Sequence, residues 1–194
     1  MNSRALVLAS TSPYRRELLA RLRIPFDVRA PEVDETALPG EAPRDTALRL
    51  AQSKARAVAA ACPDALVIGS DQVAALDSKC LGKPGTHEKA VAQLEVMRGR
   101  CVTFHTALAL LNTATGALQL SDVPTDVYFR ACSNAEIERY LAAERPYDCT
   151  GSAKIEGLGI ALVERMVSED PSALMGLPLM RLTTMLRNEG VAVL

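Results

Sequence analysis

Residues 5–9 read Ala-Leu-Val-Leu-Ala, a run short and apolar enough for a buried strand, and they pass directly into Ser10-Thr11-Ser12-Pro13. Ser12 is placed to cap a helix whose first position is Pro13, where the missing N–H does no harm. Leu18, Leu19 and Leu22 then share one face, which carries the helix to about Arg23. A strand that turns at once into a helix belongs to a sheet with helices packed on it.

The alternation continues along the chain. Ala30–Pro43 is rich in proline and acid and reads as a loop. A second helix follows from about Arg44 to Ala61, with Leu48, Ala51, Ala55 and Val58 at helical spacing. Ala65–Gly69 is a second buried strand, ending at Ser70-Asp71-Gln72. The turn-rich Leu81-Gly82-Lys83-Pro84-Gly85 precedes a helix from about His87 to Met97. Cys101–Leu111 and Ala117–Phe129 are strand-like and flank a segment of hairpin-loop composition. Ser133-Asn134-Ala135-Glu136 is a capping box that opens a helix to about Ala143. Gly151–Val163 mixes glycines with apolar residues and leads into another strand. Pro178–Glu189 is a closing helix, which Gly190 ends. The expectation is an α/β fold with a mixed central sheet flanked by helices, residues 1–194 forming one domain with a central cleft.

Composition narrows the function. Of 194 residues, 48% are hydrophobic and 23% charged, enough for a sizeable core, and the net charge is -1. A chain that grips nucleic acid through its phosphates is usually strongly basic. Any phosphate binding here is therefore expected to be local. The N-terminus lacks the apolar core and cleavage site of a signal peptide, and no apolar run reaches the length of a membrane span. A cytoplasmic protein that contacts neither membrane nor nucleic acid is expected. The cysteines number 5, are widely spaced and lack a CxxC pair, which argues against a disulfide framework and a structural zinc site.

Ser10-Thr11-Ser12-Pro13-Tyr14-Arg15-Arg16 has the layout of an anion site: hydroxyls, a helix N-terminus and two guanidiniums. It reads equally well as a capped helix with surface arginines. Asp71 follows a buried strand, where an aspartate serves to activate water or hold a divalent cation, or simply caps a turn. Lys54 and Lys83 read singly as solvated lysines, and neither belongs to a Walker A loop. Val33-Asp34-Glu35 reads as an ordinary solvated acidic loop, in which Glu35 becomes a candidate metal ligand only if a triphosphate binds nearby.

Together these segments resemble the Maf family of nucleoside triphosphate pyrophosphatases over nearly the whole chain. The resemblance is carried by Leu8-Ala9-Ser10-Thr11-Ser12-Pro13-Tyr14-Arg15-Arg16, Val33-Asp34-Glu35, Ala51-Gln52-Ser53-Lys54-Ala55, Gly69-Ser70-Asp71-Gln72, Gly82-Lys83-Pro84 and Gly151-Ser152-Ala153-Lys154, in that order. It implies two α/β lobes around a central cleft (a Maf/ITPase-like fold), a homodimer, and a divalent cation, Mg²⁺ or Mn²⁺. It also implies attack by water at the α-phosphate. In that reading Asp71 is the general base. Ser10, Ser12, Arg15, Arg16, Lys54, Lys83 and Lys154 bind the phosphates, and Glu35 with Asp71 holds the metal.

Two positions bear on the base. The chain has Tyr14 and Glu156 where the family's UTP/dTTP-cleaving branch has arginine and glutamine. In this it looks like the branch acting on 7-methyl-GTP. Methylation at N7 makes guanine cationic, and a cation over an aromatic face gains about 0.5–2 kcal/mol. Glu156 would accept from the base's N1–H and N2–H₂ groups, and Gln72 would help position the nucleotide. The expected function is hydrolysis of 7-methyl-GTP to 7-methyl-GMP and pyrophosphate, a clearance of modified nucleotides. The alternatives are UTP, dTTP or another modified nucleotide as substrate, or a non-catalytic nucleotide-binding regulator of cell division.

Overall fold

In the computed structural model, which describes residues 4–194, the first apolar run is strand β1 (Ala5–Ala9) and it leads into helix α1 (Pro13–Ala20). Residues 1–3 begin the stretch read above as lacking a leader and lie outside the described residues. Ser12 Oγ accepts from the Arg15 N–H, so α1 starts where its capping signal lies. The helix ends at Ala20, short of Arg23, whose φ of 56° is left-handed. Leu22 nevertheless packs against the core.

The remaining elements are β2 (Asp27–Arg29), α2 (Pro43–Ala59), β3 (Ala65–Leu76), β4 (Lys79–Leu81), α3 (His87–Met97), β5 (Cys101–Asn112), β6 (Leu118–Phe129), α4 (Asn134–Glu144), β7 (Val163–Ser168) and α5 (Leu179–Asn188). They build one 7-stranded sheet of order β2-β1-β3-β5-β6-β7, with β4 also paired to β3. β1 runs parallel to β2 and β3, and the other pairs are antiparallel, so the sheet is mixed. No helix of the described residues is long and apolar enough to cross a membrane.

The face each residue takes follows from strand alternation. Val7, Ala9, Ala65, Val67, Ala107 and Ala109 turn to α2, whose Ala47, Ala51 and Ala55 meet them. Leu6, Leu8, Leu66, Ile68, Leu108 and Leu110 turn the other way, under α1 and α5. Toward the far ends of β3, β5 and β6, Ala74, Phe104 and Val127 pack beneath α3 and α4. The long strands thus pass from a lobe built on α1, α2 and α5 to one built on α3 and α4.

Gly151–Val163 leads into a strand as expected, through two 3-10 turns, Thr150–Ser152 and Leu158–Leu162, with the strand beginning at Val163. β2 and β4, three residues each, answer to no element read from the sequence, β4 overlapping the expected turn only at Leu81. One reading needs correction: β3 does not end at Ser70-Asp71-Gln72 but continues to Leu76.

That continuation creates the cleft. On its β5 side, β3 is paired from Leu66 to Ala75. On its other side, β1 pairs with Ala65–Gly69 and β4 with Ala74–Leu76. Ser70 to Val73 therefore have no strand beside them on that edge. Asp71 stands in mid-strand, opposite the place where the parallel strand β1 has already ended.

Candidate active site

Asp71 shares the α2 face of β3, and α2 comes unusually close to it. A Cβ on Gly69 would lie 2.1 Å from the Ala51 carbonyl oxygen, so only glycine admits the helix backbone here. This approach buries Lys54 to 5% exposure. Its ammonium donates to Asp71 Oδ1 at 2.7 Å and pairs with Glu35 Oε1 at 2.6 Å. Burial works to raise the Glu35 pKa, but the hydrogen bond and charge of Lys54, with Lys83 and Arg15 behind it, hold it below the ordinary carboxylate value. The acidic loop that bears Glu35 is anchored to α2. Arg49 donates to both oxygens of Glu41, at 2.7 and 2.8 Å, and to the Thr36 carbonyl at 3.1 Å.

The opposite face of β3 holds a second loop. Ser70 Oγ and Arg15 Nε both donate to the Gly176 carbonyl, at 2.9 and 2.8 Å. Gln72 Nε2 donates to the carbonyls of Ala173 and Leu174 and faces Thr106 Oγ1. With its amide nitrogen so occupied, Gln72 keeps its carbonyl oxygen as the group it can offer a ligand. Asp170, 3% exposed, accepts from the N–H groups of Ser172, Met180 and Arg181 and from Ser172 Oγ. It ties the loop to the start of α5.

The cleft has a volume of about 590 Å³, within the range of small-molecule sites. Arg15, Glu35, Lys54, Asp71 and Lys83 are close enough for their charges to act on one another, and Ser10 and Ser12 also line the cleft. Ser10 Oγ accepts from the Ser12 N–H at 3.1 Å, folding the hydroxyl turn before α1. Tyr14, Cys149, Ile155, Glu156 and Gln72 also line the cleft. Burial, then the nearby Cys149, Asp148 and Glu156, raises the Tyr14 pKa against the opposing Lys154, so its ring is a neutral phenol. Burial pushes the Cys149 thiol up to about 12, which keeps it protonated and unreactive at neutral pH.

Two residues of the sequence reading stand apart. Arg16 is exposed and does not line the cleft. Lys154 does not line it either, and its ammonium pairs with Glu144 at 2.9 Å. The sequence reading missed the Ala173–Gly176 carbonyls, Asp170, and the Glu41–Arg49 pair. Asp170-Pro171-Ser172 carries the turn signal that would have marked the first two. Glu41 and Arg49 lie eight residues apart across a helix start and leave no local pattern.

The donors suit a hard cation. Glu35 and Asp71 are two carboxylates already bridged by a positive group, the Lys54 ammonium. Magnesium commonly takes one or two protein carboxylates and completes its shell with phosphate and water. Among the described residues no cluster of three or more His, Cys, Asp or Glu is placed to hold a metal alone. A divalent ion here would need the substrate's oxygens.

A mixed α/β sheet whose large cleft is lined by hydroxyls, cations and paired carboxylates together with Tyr14 and Glu156 has the chemistry of a nucleotide-handling protein. The family described as Maf-like protein matches residues 5–189, and the chain belongs to that family. It is 65% identical over 99% of its length to the 7-methyl-GTP pyrophosphatase of Thiobacillus denitrificans, covering 96% of that protein. It is 62% identical to the protein of the same name from Cupriavidus metallidurans, over 96% of this chain and 94% of that one. The Ralstonia nicotianae protein, also named 7-methyl-GTP pyrophosphatase, is 63% identical over 94% of each chain.

Proposed function

We propose that this chain is a nucleoside triphosphate pyrophosphatase that hydrolyses 7-methyl-GTP to 7-methyl-GMP and pyrophosphate. The observation that carries this reading is that one cleft is lined by two distinct groups of side chains. Arg15, Lys54, Lys83 and the paired carboxylates Glu35 and Asp71 form one, and Tyr14, with Glu156 near enough to act on its hydroxyl, belongs to the other. A nucleotide laid along the cleft has its phosphates among Ser10, Ser12, Arg15 and Lys83 and its base against Tyr14. The relatives' name supports the choice of base.

Water attacks the α-phosphorus, the α–β anhydride bond breaks, and pyrophosphate leaves. Asp71 orients that water and accepts its proton, while Lys54 fixes the carboxylate through Oδ1. A carboxylate is a weak base near neutral pH, so orientation is its larger contribution. Arg15 and Lys83 neutralise charge on the leaving group, the dominant requirement of phosphoryl transfer. Glu35 and Asp71 would hold a Mg²⁺ or Mn²⁺ ion, which supplies Lewis-acid charge neutralisation to the phosphate oxygens when bound.

Hydrolysis in ¹⁸O-labelled water tests the bond that is cut. The label is expected in 7-methyl-GMP and absent from pyrophosphate; label in pyrophosphate would place attack at the β-phosphorus and reject the scheme. Asp71→Asn is expected to lower kcat by about 10²–10⁴-fold, the usual range for a general base, with the melting temperature little changed. Chelation of divalent ions should abolish turnover and leave the circular dichroism spectrum intact. Undiminished turnover in excess chelator would count against the metal role of Glu35 and Asp71.

A further inference from the structure

The wall that carries Glu156 is neither helix nor strand. Residues 153–157 connect two 3-10 turns, yet Ala153, Ile155 and Glu156 form part of the cleft. A carboxylate on an irregular segment discriminates between bases only if something holds the segment still. Two side chains of α4, four residues apart and so on one helix face, do this from behind.

Tyr140 is 3% exposed, its ring packed in the core beneath α3 and α4. Its hydroxyl donates to the Ser152 carbonyl at 3.2 Å and accepts from the Lys154 N–H at 3.0 Å, bridging the backbone just before the wall. Glu144 takes the other side. One carboxylate oxygen pairs with the Lys154 ammonium at 2.9 Å, and the other accepts from the Leu158 N–H at 2.9 Å. The fit is close: a Cβ on Gly157 would lie 2.8 Å from the same oxygen. The Lys154 carbonyl, in turn, accepts from the N–H groups of Gly157 and Gly159 at 3.1 and 3.0 Å. Residues 154–159 form a knot tied to α4 at both ends, with Glu156 projecting from its middle.

We propose that Tyr140, Glu144 and Lys154 are positioning residues for base recognition, fixing Glu156 opposite Tyr14, and that Lys154 acts through this knot rather than by binding phosphate. The proposal rests on the reading of Glu156 as the group that meets the base. It separates two functions along the cleft. Disturbing the knot changes which nucleotide is held and leaves the chemistry at Asp71 as it was.

The test uses Tyr140→Phe, which keeps the buried ring, Glu144→Gln, which keeps the shape and removes the ion pair, and the two combined. Steady-state kinetics are measured with 7-methyl-GTP, GTP and UTP, beside the melting temperature of each variant. In the combined variant KM for 7-methyl-GTP should rise about tenfold, the scale of a lost charge-assisted hydrogen bond. Its kcat should stay within about twofold, and kcat/KM for UTP should not fall. Lys154→Arg, which preserves the pair with Glu144, should stay near wild type, whereas Lys154→Met should behave like Glu144→Gln. A wild type that prefers 7-methyl-GTP, with variants that keep the same preference, would overturn the proposal alone. So would an equal loss for every nucleotide, which marks a general loosening, or a fall confined to kcat in Lys154→Met, which marks a phosphate contact. A wild type without that preference would remove the reading of the base and the proposal with it.

Discussion

Lys54 shows how a residue that looks ordinary in the sequence becomes central in the fold. On helical spacing it is one more lysine beside polar neighbours, and nothing local distinguishes it from a solvated side chain. It is buried because Gly69 lets α2 lie against β3, and its ammonium then falls between Asp71 and Glu35. Removing the charge leaves two carboxylates facing each other without a cation. Lys54→Met is expected to cut kcat/KM by at least about 10²-fold, the range found when a group stabilising the transition state is lost, and steady-state turnover measures it. Glu41 was equally silent in the sequence. The hydrogen bonds from Arg49 hold its pKa at about 2, well below the ordinary 4.5. A carboxylate depressed in the folded state contributes stability that is full above its unfolded pKa and lost as pH falls through the folded one. Glu41→Gln should therefore melt lower than wild type at neutral pH, and the gap should close as pH falls from about 4.5 toward about 2. Melting curves across that interval check the sign, and a gap that widens on acidification would contradict it.

Among the elements, β3 marks where reading the sequence stopped short. Ser70-Asp71-Gln72 breaks the apolar run, and polar residues at the end of a run usually signal a turn. The strand continues because β5 pairs with it past that point, while the polar side chains turn to α2 on one face and to the Ala173–Gly176 carbonyls on the other. Tertiary pairing outweighs local pattern. β2 and β4, three residues each, are held by their neighbours alone and have no periodicity to detect. By contrast, α3 spans His87–Met97 as expected, and α4 begins with the capping box that Ser133 and Glu136 announce. Gly69→Ala is the sharpest test of the α2–β3 contact. The added methyl meets backbone rather than a movable side chain, so the cost should reach or exceed the upper end of the about 1–3 kcal/mol usual for overpacking. Denaturant unfolding measures it. Asp170→Ala should leave the Met180, Arg181 and Ser172 donors unsatisfied. We expect a loss of about 1–3 kcal/mol and a higher KM, as the loop that Arg15 and Ser70 grasp loosens.

Across the whole molecule, the sequence carried the architecture better than it carried the site. Alternating apolar runs and capped helices were enough to define a mixed α/β sheet, because strand and helix periods are local properties. The cleft is not local. It lies where β1 has ended and β4 has not begun, beside a segment of β3 that no single stretch of sequence marks as an opening. Ser10, Ser12, Tyr14, Arg15, Glu35, Lys54, Asp71, Gln72, Lys83 and Glu156 converge there from six separate segments, whereas Arg16 and Lys154 do not reach its wall. On the proposed function, this convergence lets one cleft combine charge neutralisation at the phosphates with selection of the base. The relative kcat/KM of the wild-type protein for 7-methyl-GTP, GTP, UTP and dTTP, followed by pyrophosphate release, tests that account most directly. A clear preference for 7-methyl-GTP, lost in Tyr14→Arg combined with Glu156→Gln while pyrophosphate is still released from other nucleotides, is the result the account predicts. Preference for UTP or dTTP, or a 7-methyl-GTP preference untouched by the double substitution, would contradict it.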